Sequence, residues 1–179
     1  MSRFEVKIDT KVDLLRWVDP RKVMFEPFIL EEEMVRCIVE NDEGKLVTDT
    51  QLSIESLLRN RGNAVNITGM ERYCAATQTL VGDVRRSLGH YGPATMHIFV
   101  TPTGARSFPV HTDPDVVVLC LLEGKKIFEI EGEQFEMEIG KFYRIPADAP
   151  HRAVYNEDSI MLSIGLEFFL KDKLGWKQK

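Results

Sequence analysis

The chain has 179 residues, of which 44% are hydrophobic and 28% charged, and its formal net charge at pH 7 is −5. This length and composition are typical of one globular domain with a sizeable core, and they exclude a disordered or fibrous chain. No run of lysine and arginine exceeds two residues, so no nucleic-acid partner is indicated. No apolar stretch reaches membrane-spanning length, so no membrane partner is expected.

The three cysteines, Cys37, Cys74 and Cys120, are odd in number, widely spaced and mostly beside apolar residues. This pattern predicts reduced thiols in the core rather than a disulfide framework. The first five residues lack the apolar region of a signal peptide. Together these features favour a cytoplasmic protein.

The first half of the chain carries mostly helical patterns. Apolar residues recur at helical spacing and predict helices over 30–40, 53–60 and 70–88. Between them, short apolar segments predict strands at 23–28 and 64–68.

From Ala94 onward the pattern changes to short strands separated by turns. Seven are predicted, at 95–101, 115–122, 125–130, 134–139, 141–145, 151–155 and 159–166. The segment 115–122 is almost continuously apolar, as expected of a strand buried on both faces. The sequence therefore predicts a mainly β fold with N-terminal helices, built as a jelly roll or double-stranded β-helix.

His111, Asp113 and His151 are the candidate metal ligands. Residues two apart on a strand face the same side, so His111 and Asp113 can bind one ion together. A histidine from a distant strand, His151, would complete two imidazoles and one carboxylate. This set leaves three positions open on an octahedral ferrous ion for oxygen and an organic cosubstrate. The alternative is that the three are satisfied polar residues on a sheet.

Lys126 is the candidate anion-binding residue. It alternates with Phe128 and Ile130, so if that face looks into the barrel the ammonium group needs an anionic partner. A carboxylate cosubstrate bound to the metal would supply this anion. The alternative is that Lys126 extends out of the barrel mouth with its alkyl stem packed.

These motifs resemble one family. The segments His111-Thr-Asp113, Leu121-Leu-Glu-Gly-Lys-Lys126 and Gly140-Lys-Phe-Tyr-Arg-Ile-Pro-Ala-Asp-Ala-Pro-His151 are similar to those of the Jumonji-C/cupin-like 2-oxoglutarate oxygenases. The similarity is greatest to the ribosomal-protein hydroxylase branch. It implies that His111, Asp113 and His151 are catalytic iron ligands, that Lys126 pairs with the distal carboxylate of 2-oxoglutarate, and that Ser163 lies near that carboxylate.

The chain departs from the family at two positions. Phe99 stands where a tyrosine often reaches the same carboxylate, and His97 stands where an asparagine is common. Alternation places His97, Phe99 and Thr101 on one face. His97 and Thr101 are therefore candidate cosubstrate contacts, although a core role for His97 is equally compatible with the sequence.

The resemblance implies an enzyme that uses Fe(II), 2-oxoglutarate and O2 to hydroxylate a small molecule or a peptide or protein side chain. It implies an oxygenase domain over 48–170, preceded by an extension over 1–47 that packs on the barrel and followed by a polar tail over 171–179. The sequence leaves open whether the protein forms a homodimer. The alternatives are a metal-dependent cupin enzyme that does not use 2-oxoglutarate and a non-catalytic metal-binding cupin module.

Overall fold

The computed structural model describes residues 2–13, 19–24, 26, 29, 34–40, 43, 46–49, 62–105 and 108–167. The elements in the first half are β1 (Glu5–Val6), α1 (Pro20–Val23), β2 (Val35–Glu40), β3 (Leu46–Asp49), β4 (Val65–Ile67), a 3₁₀ helix (Met70–Arg72) and α2 (Ala75–Ser87). Those in the second half are β5 (Ala94–Thr101), β6 (Val116–Glu123), β7 (Lys126–Ile130), β8 (Glu133–Glu136), β9 (Phe142–Ile145), β10 (His151–Asn156) and β11 (Ser159–Leu166).

The strands form two antiparallel sheets. The larger has eight strands in the order β1-β9-β6-β11-β5-β4-β2-β3, and the smaller has three in the order β10-β7-β8. Phe128 and Ile130 of the small sheet share one buried cluster with Leu119 and Ile145 of the large sheet. Apolar side chains therefore fill the space between the sheets, as in the predicted jelly roll.

A second core lies on the outer face of the large sheet. There Leu80 and Val84 of α2 share a buried cluster with Ile98 and Leu162 of β5 and β11. The central strand β6 contributes to both cores, because successive side chains point to opposite faces. This confirms that the apolar segment 115–122 is a strand buried on both sides.

Two predictions in the first half are wrong. The segment 30–40 is predicted as a helix, but Val35–Glu40 is the strand β2, which pairs with β4 through Val35 and Ile67. Residues 30–33 lie outside the described residues. The β-branched residues of this segment fit a pleated surface, and pairing across the sheet outweighs the helical spacing.

The prediction of a strand at 23–28 is wrong at its start, because Val23 is the last residue of α1. Asp19 accepts a hydrogen bond from the amide of Arg21 at 3.1 Å, and Pro20 occupies the first helical position, which suits proline. Residues 25, 27 and 28 lie outside the described residues, as does the whole helix predicted at 53–60.

The helix predicted at 70–88 is divided in two. Cys74 has an extended backbone and separates the 3₁₀ helix from α2. Its amide donates a hydrogen bond to the Thr77 hydroxyl at 3.1 Å, which caps α2. The strand prediction at 64–68 is confirmed by β4.

All seven strands predicted after residue 94 are present, with small changes at their ends. The turn before β7 depends on Gly124, whose φ is +82° and whose Cα lies against the backbone of Asp158. A side chain has no room there, so glycine fixes the start of β7. No helix in the described part of the chain is long and apolar enough to cross a membrane.

Candidate metal centre

Backbone hydrogen bonds bring the three candidate ligands together. The amide of His111 donates to the carbonyl of His151 at 3.1 Å, and the amide of His151 donates to the carbonyl of His111 at 2.9 Å. The amide of Asp148 donates to the carbonyl of Asp113 at 2.8 Å. The segment carrying the first two ligands is therefore tied to the start of β10, which carries the third.

The side chains of His111, Asp113 and His151 converge. One possible ligand atom from each lies within 4.8 Å of the other two, and Nε2 of His151 is 3.4 Å from Oδ2 of Asp113. Within the described residues, this is the group of histidine, cysteine and acidic side chains whose geometry could hold a metal ion. The structure thus brings the three predicted side chains together, and their role as metal ligands stays a prediction.

Each imidazole is oriented by its second nitrogen. Nδ1 of His111 lies 2.9 Å from the carbonyl of Pro109, and Nδ1 of His151 lies 2.9 Å from the carbonyl of Ala149. A carbonyl can only accept, so Nδ1 carries a proton in both rings. Nε2 is then the nitrogen left for a metal ion, which it binds in its unprotonated form. This is the usual arrangement around metal-bound histidines, and it fits the donor set to a divalent ion.

The charges of these groups are coupled. The hydrogen bond from His151 holds the pKa of Asp113 below its ordinary value. Burial lowers the pKa of His151, but the hydrogen bonds to Asp113 and to the carbonyl of Ala149 outweigh it, so the net change is upward. Asp113 is therefore ionised and available as an anionic ligand at neutral pH.

The triad borders a cavity of about 100 Å³ between the two sheets. Its polar lining consists of the triad with Thr101, Lys126 and Ser163, and its apolar lining includes Phe99, Phe108, Val117, Leu119, Phe128, Ile145 and Met161. A wider groove of about 570 Å³ shares part of this lining and is also bordered by His97 and Asp115.

Lys126 points into this cavity. Only 3% of its surface is exposed, and Nζ lies 3.5 Å from the Thr101 hydroxyl. Burial lowers the pKa of Lys126 to about 8. Among the described residues, no carboxylate lies within ion-pair distance of Nζ, so the cavity holds an ammonium group that lacks an anion.

The other predicted contacts occupy different parts of the interior. Thr101 lies beside Lys126, and Ser163 lines both the cavity and the groove. His97 pairs with Ser163 across β5 and β11 and lines the groove. Burial lowers the pKa of His97, so the ring is neutral at pH 7. Phe99 separates His97 from Thr101 along the same face, so His97 does not belong to the Lys126 end of the cavity.

Sequence reasoning missed Ser159. It pairs with Thr101 across β5 and β11, and paired residues in a sheet face the same side. Its hydroxyl is buried and has no hydrogen-bond partner in the described structure. Ser159 has the same strand parity as Ser163, so alternation could have identified it.

Phe108 was also missed. Its ring lies edge-on to His111, with 5.9 Å between the ring centroids, and it lines both the cavity and the groove. No periodic pattern marks this loop residue in the sequence.

Comparison with known proteins supports the fold. Residues 97–165 match the family model of the cupin domain. The chain is similar to the ribosomal oxygenase YcfD from Escherichia coli, with a TM-score of 0.61 and 17% identity over 85% of this chain and 45% of that one. A structure of YcfD with cobalt and 2-oxoglutarate gives a TM-score of 0.59 and 15% identity over 92% of this chain and 52% of that one.

A third structure, YcfD in complex with cobalt and succinic acid, gives a TM-score of 0.59 at 16% identity and covers 85% of this chain and 45% of that one. No curated protein matches the sequence. The chain spans about half the length of the YcfD structures. At these identities the likeness concerns the fold. Residues 97–165 are therefore similar to a cupin domain, and the chain has a jelly-roll fold similar to that of the ribosomal oxygenase.

Proposed function

We propose that this protein is an Fe(II)- and 2-oxoglutarate-dependent oxygenase that hydroxylates a small molecule or a peptide or protein side chain. The observation that carries the proposal is the buried ammonium group of Lys126, which has no carboxylate partner among the described residues and faces the same cavity as the candidate metal triad. A buried cation is costly without an anion. A dicarboxylate that reaches from the metal toward Lys126 would supply one.

The metal centre supports the same proposal. His111, Asp113 and His151 would hold Fe(II) through two imidazole Nε2 atoms and one carboxylate, a set typical of ferrous oxygenases. When bound, Fe(II) with 2-oxoglutarate and O2 would supply the oxidative decarboxylation that gives succinate and CO2 and adds one oxygen atom to the substrate.

The remaining residues have binding and shielding roles. Lys126 would bind the distal carboxylate by a charge-assisted hydrogen bond, and the Thr101 hydroxyl would hold the ammonium group in place. Ser159, opposite Thr101, is a second hydroxyl on this face. Phe99 and Phe128 line the cavity and would exclude water from the reacting groups.

Formation of succinate tests the proposal. The purified protein is incubated in air with Fe(II) and 2-oxoglutarate, and succinate is measured with and without a panel of candidate substrates. We expect slow succinate release alone and faster release with a true substrate. The variant His151→Ala should release none. A native protein that binds Fe(II) but neither binds nor decarboxylates 2-oxoglutarate would exclude the proposal.

One observation favours a second candidate, a cupin enzyme with the same metal ligands that does not use 2-oxoglutarate. Phe99 lines the cavity next to Thr101 and offers no hydrogen bond to a carboxylate. In that case Lys126 would contact the substrate itself. Metal-dependent turnover without 2-oxoglutarate would identify this candidate.

A further inference from the structure

Three polar residues lie on neighbouring strands of the large sheet, outside the metal triad and the Lys126 end of the cavity. Arg36 on β2 pairs with Asn66 on β4, and Asn66 pairs with Phe99 on β5. His97 is two residues from Phe99 and has the same parity. All three side chains therefore start from the face of the sheet that carries the cavity.

Each of these side chains has a buried polar atom without a hydrogen-bond partner in the described structure. The atoms are Nε of Arg36, Oδ1 of Asn66 and Nδ1 of His97. Buried polar atoms are nearly always paired in folded proteins. Nε of Arg36 and Nδ1 of His97 can donate, so they indicate a missing acceptor. Oδ1 of Asn66 only accepts, and rotating this amide by 180° would put its nitrogen in the same place.

The described residues do not supply a counter-ion for Arg36. Among the described residues no carboxylate forms an ion pair with its guanidinium group. Glu71 is near enough to His97 to act on it electrostatically. Its carboxylate is already engaged, accepting a hydrogen bond from the amide of Met96 at 2.9 Å and lying 3.6 Å from Nε of Arg72.

The groove is lined by two residues of this polar strip and by two of the candidate metal ligands. Asn66 and His97 line it together with His111 and Asp113. The carboxylate residues Asp115 and Glu167 also line it. An anionic group would be repelled by these carboxylates and attracted to the strip that Arg36 borders.

We propose that Arg36, Asn66 and His97 bind an oxyanion of the substrate, a carboxylate or a phosphate, placed away from the carbon that reacts. The arginine Nε–H and a histidine Nδ1–H donate, and the Asn66 amide offers a further donor from its nitrogen. The inference deepens the proposed function and rests on it for the reaction at the triad. Anion binding itself does not require that reaction.

Anion titration tests the strip directly. The full chain, loaded with Zn(II) and an excess of 2-oxoglutarate, is titrated with acetate or with methyl phosphate, and the Arg36 Nε–H, Asn66 amide and His97 ring signals are followed by NMR. We expect saturable shifts of all three. The anion with the lower dissociation constant identifies the class of the substrate group. No saturable shift with either anion would overturn the inference.

Variants separate this site from other cations. Arg36→Gln should weaken anion binding about ten- to a hundred-fold, the loss expected for a charge-assisted hydrogen bond. Arg36→Lys keeps the charge but loses the planar guanidinium group, so we expect an anion affinity between those of the native protein and Arg36→Gln. This second variant also keeps the test available if Arg36→Gln does not fold. Arg21→Gln removes a surface arginine paired with Glu123 and should change nothing. Unchanged affinity in both Arg36 variants would also overturn the inference.

The proposed function and the anion site can fail separately. In Lys126→Ala, anion binding at Arg36 should persist even if 2-oxoglutarate no longer binds. Anion binding at the strip without any succinate formation would overturn the proposed function alone. Succinate formation by a protein whose Arg36 and His97 NMR signals do not shift with either anion would overturn the anion site alone.

Discussion

At the scale of single residues, two aspartates could be the carboxylate ligand, because Asp113 and Asp115 lie on the same stretch of chain. Oδ2 of Asp113 is 3.4 Å from Nε2 of His151. Asp115 lines the groove and is not part of the cluster that could hold a metal. The geometry therefore distinguishes two residues that alternation along a strand leaves equivalent.

Replacing Asp113 with alanine should lower Mn(II) affinity by more than about a hundred-fold, because even residues that only support a metal ligand contribute ten- to a hundred-fold. Asp115→Ala is the matched control and should bind Mn(II) normally. Isothermal titration calorimetry of both variants checks this. Normal binding in Asp113→Ala and lost binding in Asp115→Ala would show that the other carboxylate is the ligand.

Lys126 and Lys125 form a second matched pair. Lys126 is buried beside Thr101, whereas Lys125 is only partly buried and its Nζ lies 3.4 Å from Oε2 of Glu136. Lys126→Ala should raise the dissociation constant of 2-oxoglutarate about ten- to a hundred-fold, the effect of one charge-assisted hydrogen bond. Lys125→Ala should leave it unchanged. Equal effects of the two substitutions, measured by anaerobic titration, would contradict the role of Lys126.

The pH dependence of binding follows from the same lysine. Burial lowers the pKa of Lys126 to about 8, so the ammonium group is charged below this pH and loses its proton above it. Apparent affinity for 2-oxoglutarate should therefore fall about tenfold between about pH 7 and pH 9. Lys126→Ala should remove this dependence, and a native affinity that is flat over this range would contradict the assignment.

In the ligand-free protein, by contrast, the free energy of unfolding should rise with pH. The pKa of Lys126 is lower in the folded protein than in the unfolded chain, so the cost of burying the charge is full below about pH 8. The cost is relieved as pH rises from there toward the unfolded pKa.

At the scale of elements, the turn between β6 and β7 positions Lys126. Gly124 and Gly132 both have positive φ, of +82° and +80°. A Cβ on Gly124 would collide with the backbone of Asp158, whereas a Cβ on Gly132 meets no atom within 4 Å. Substitution of Gly132 therefore tests the cost of backbone strain alone, whereas substitution of Gly124 tests strain and steric collision together.

Gly132→Ala should lower the free energy of unfolding by about 1–2 kcal/mol, the cost of a left-handed conformation with a Cβ. Gly124→Ala should lower it by roughly 3 kcal/mol or more, because the turn must also move away from Asp158. It should weaken 2-oxoglutarate binding too, since β7 would shift. Urea unfolding checks both values, and equal losses would show that the β6–β7 turn adapts easily.

At the scale of the whole molecule, the candidate metal site joins two parts of the fold. His111 and Asp113 precede β6 of the large sheet, and His151 begins β10 of the small sheet. A bound ion would therefore connect the two sheets, and metal binding should stabilise the entire domain by mass action.

Mn(II) at a free concentration a hundred times its dissociation constant should raise the free energy of unfolding by about 2.7 kcal/mol. A chelator should reverse the increase. His111→Ala should fold as the native protein does without metal and show no increase when Mn(II) is added. Thermal unfolding measures this, and an equal increase in the His111→Ala variant would place the stabilising ion elsewhere.

That residues 1–47 form a separate extension stays a prediction. Its described residues supply β1 at one edge of the large sheet and β2 near the other. Arg36 on β2 also pairs with Asn66 on β4, which lines the groove.

The sequence by itself determined the strands after residue 94 and the three side chains that converge at the metal centre. Alternation over a few residues is a local property, and it correctly placed Lys126 on the buried face. Only the tertiary structure decided that Val35–Glu40 is a strand, because its helical spacing was outweighed by pairing with β4. Arg36, Asn66 and His97 are distant in sequence, so only the order of strands could place them on one face of the large sheet.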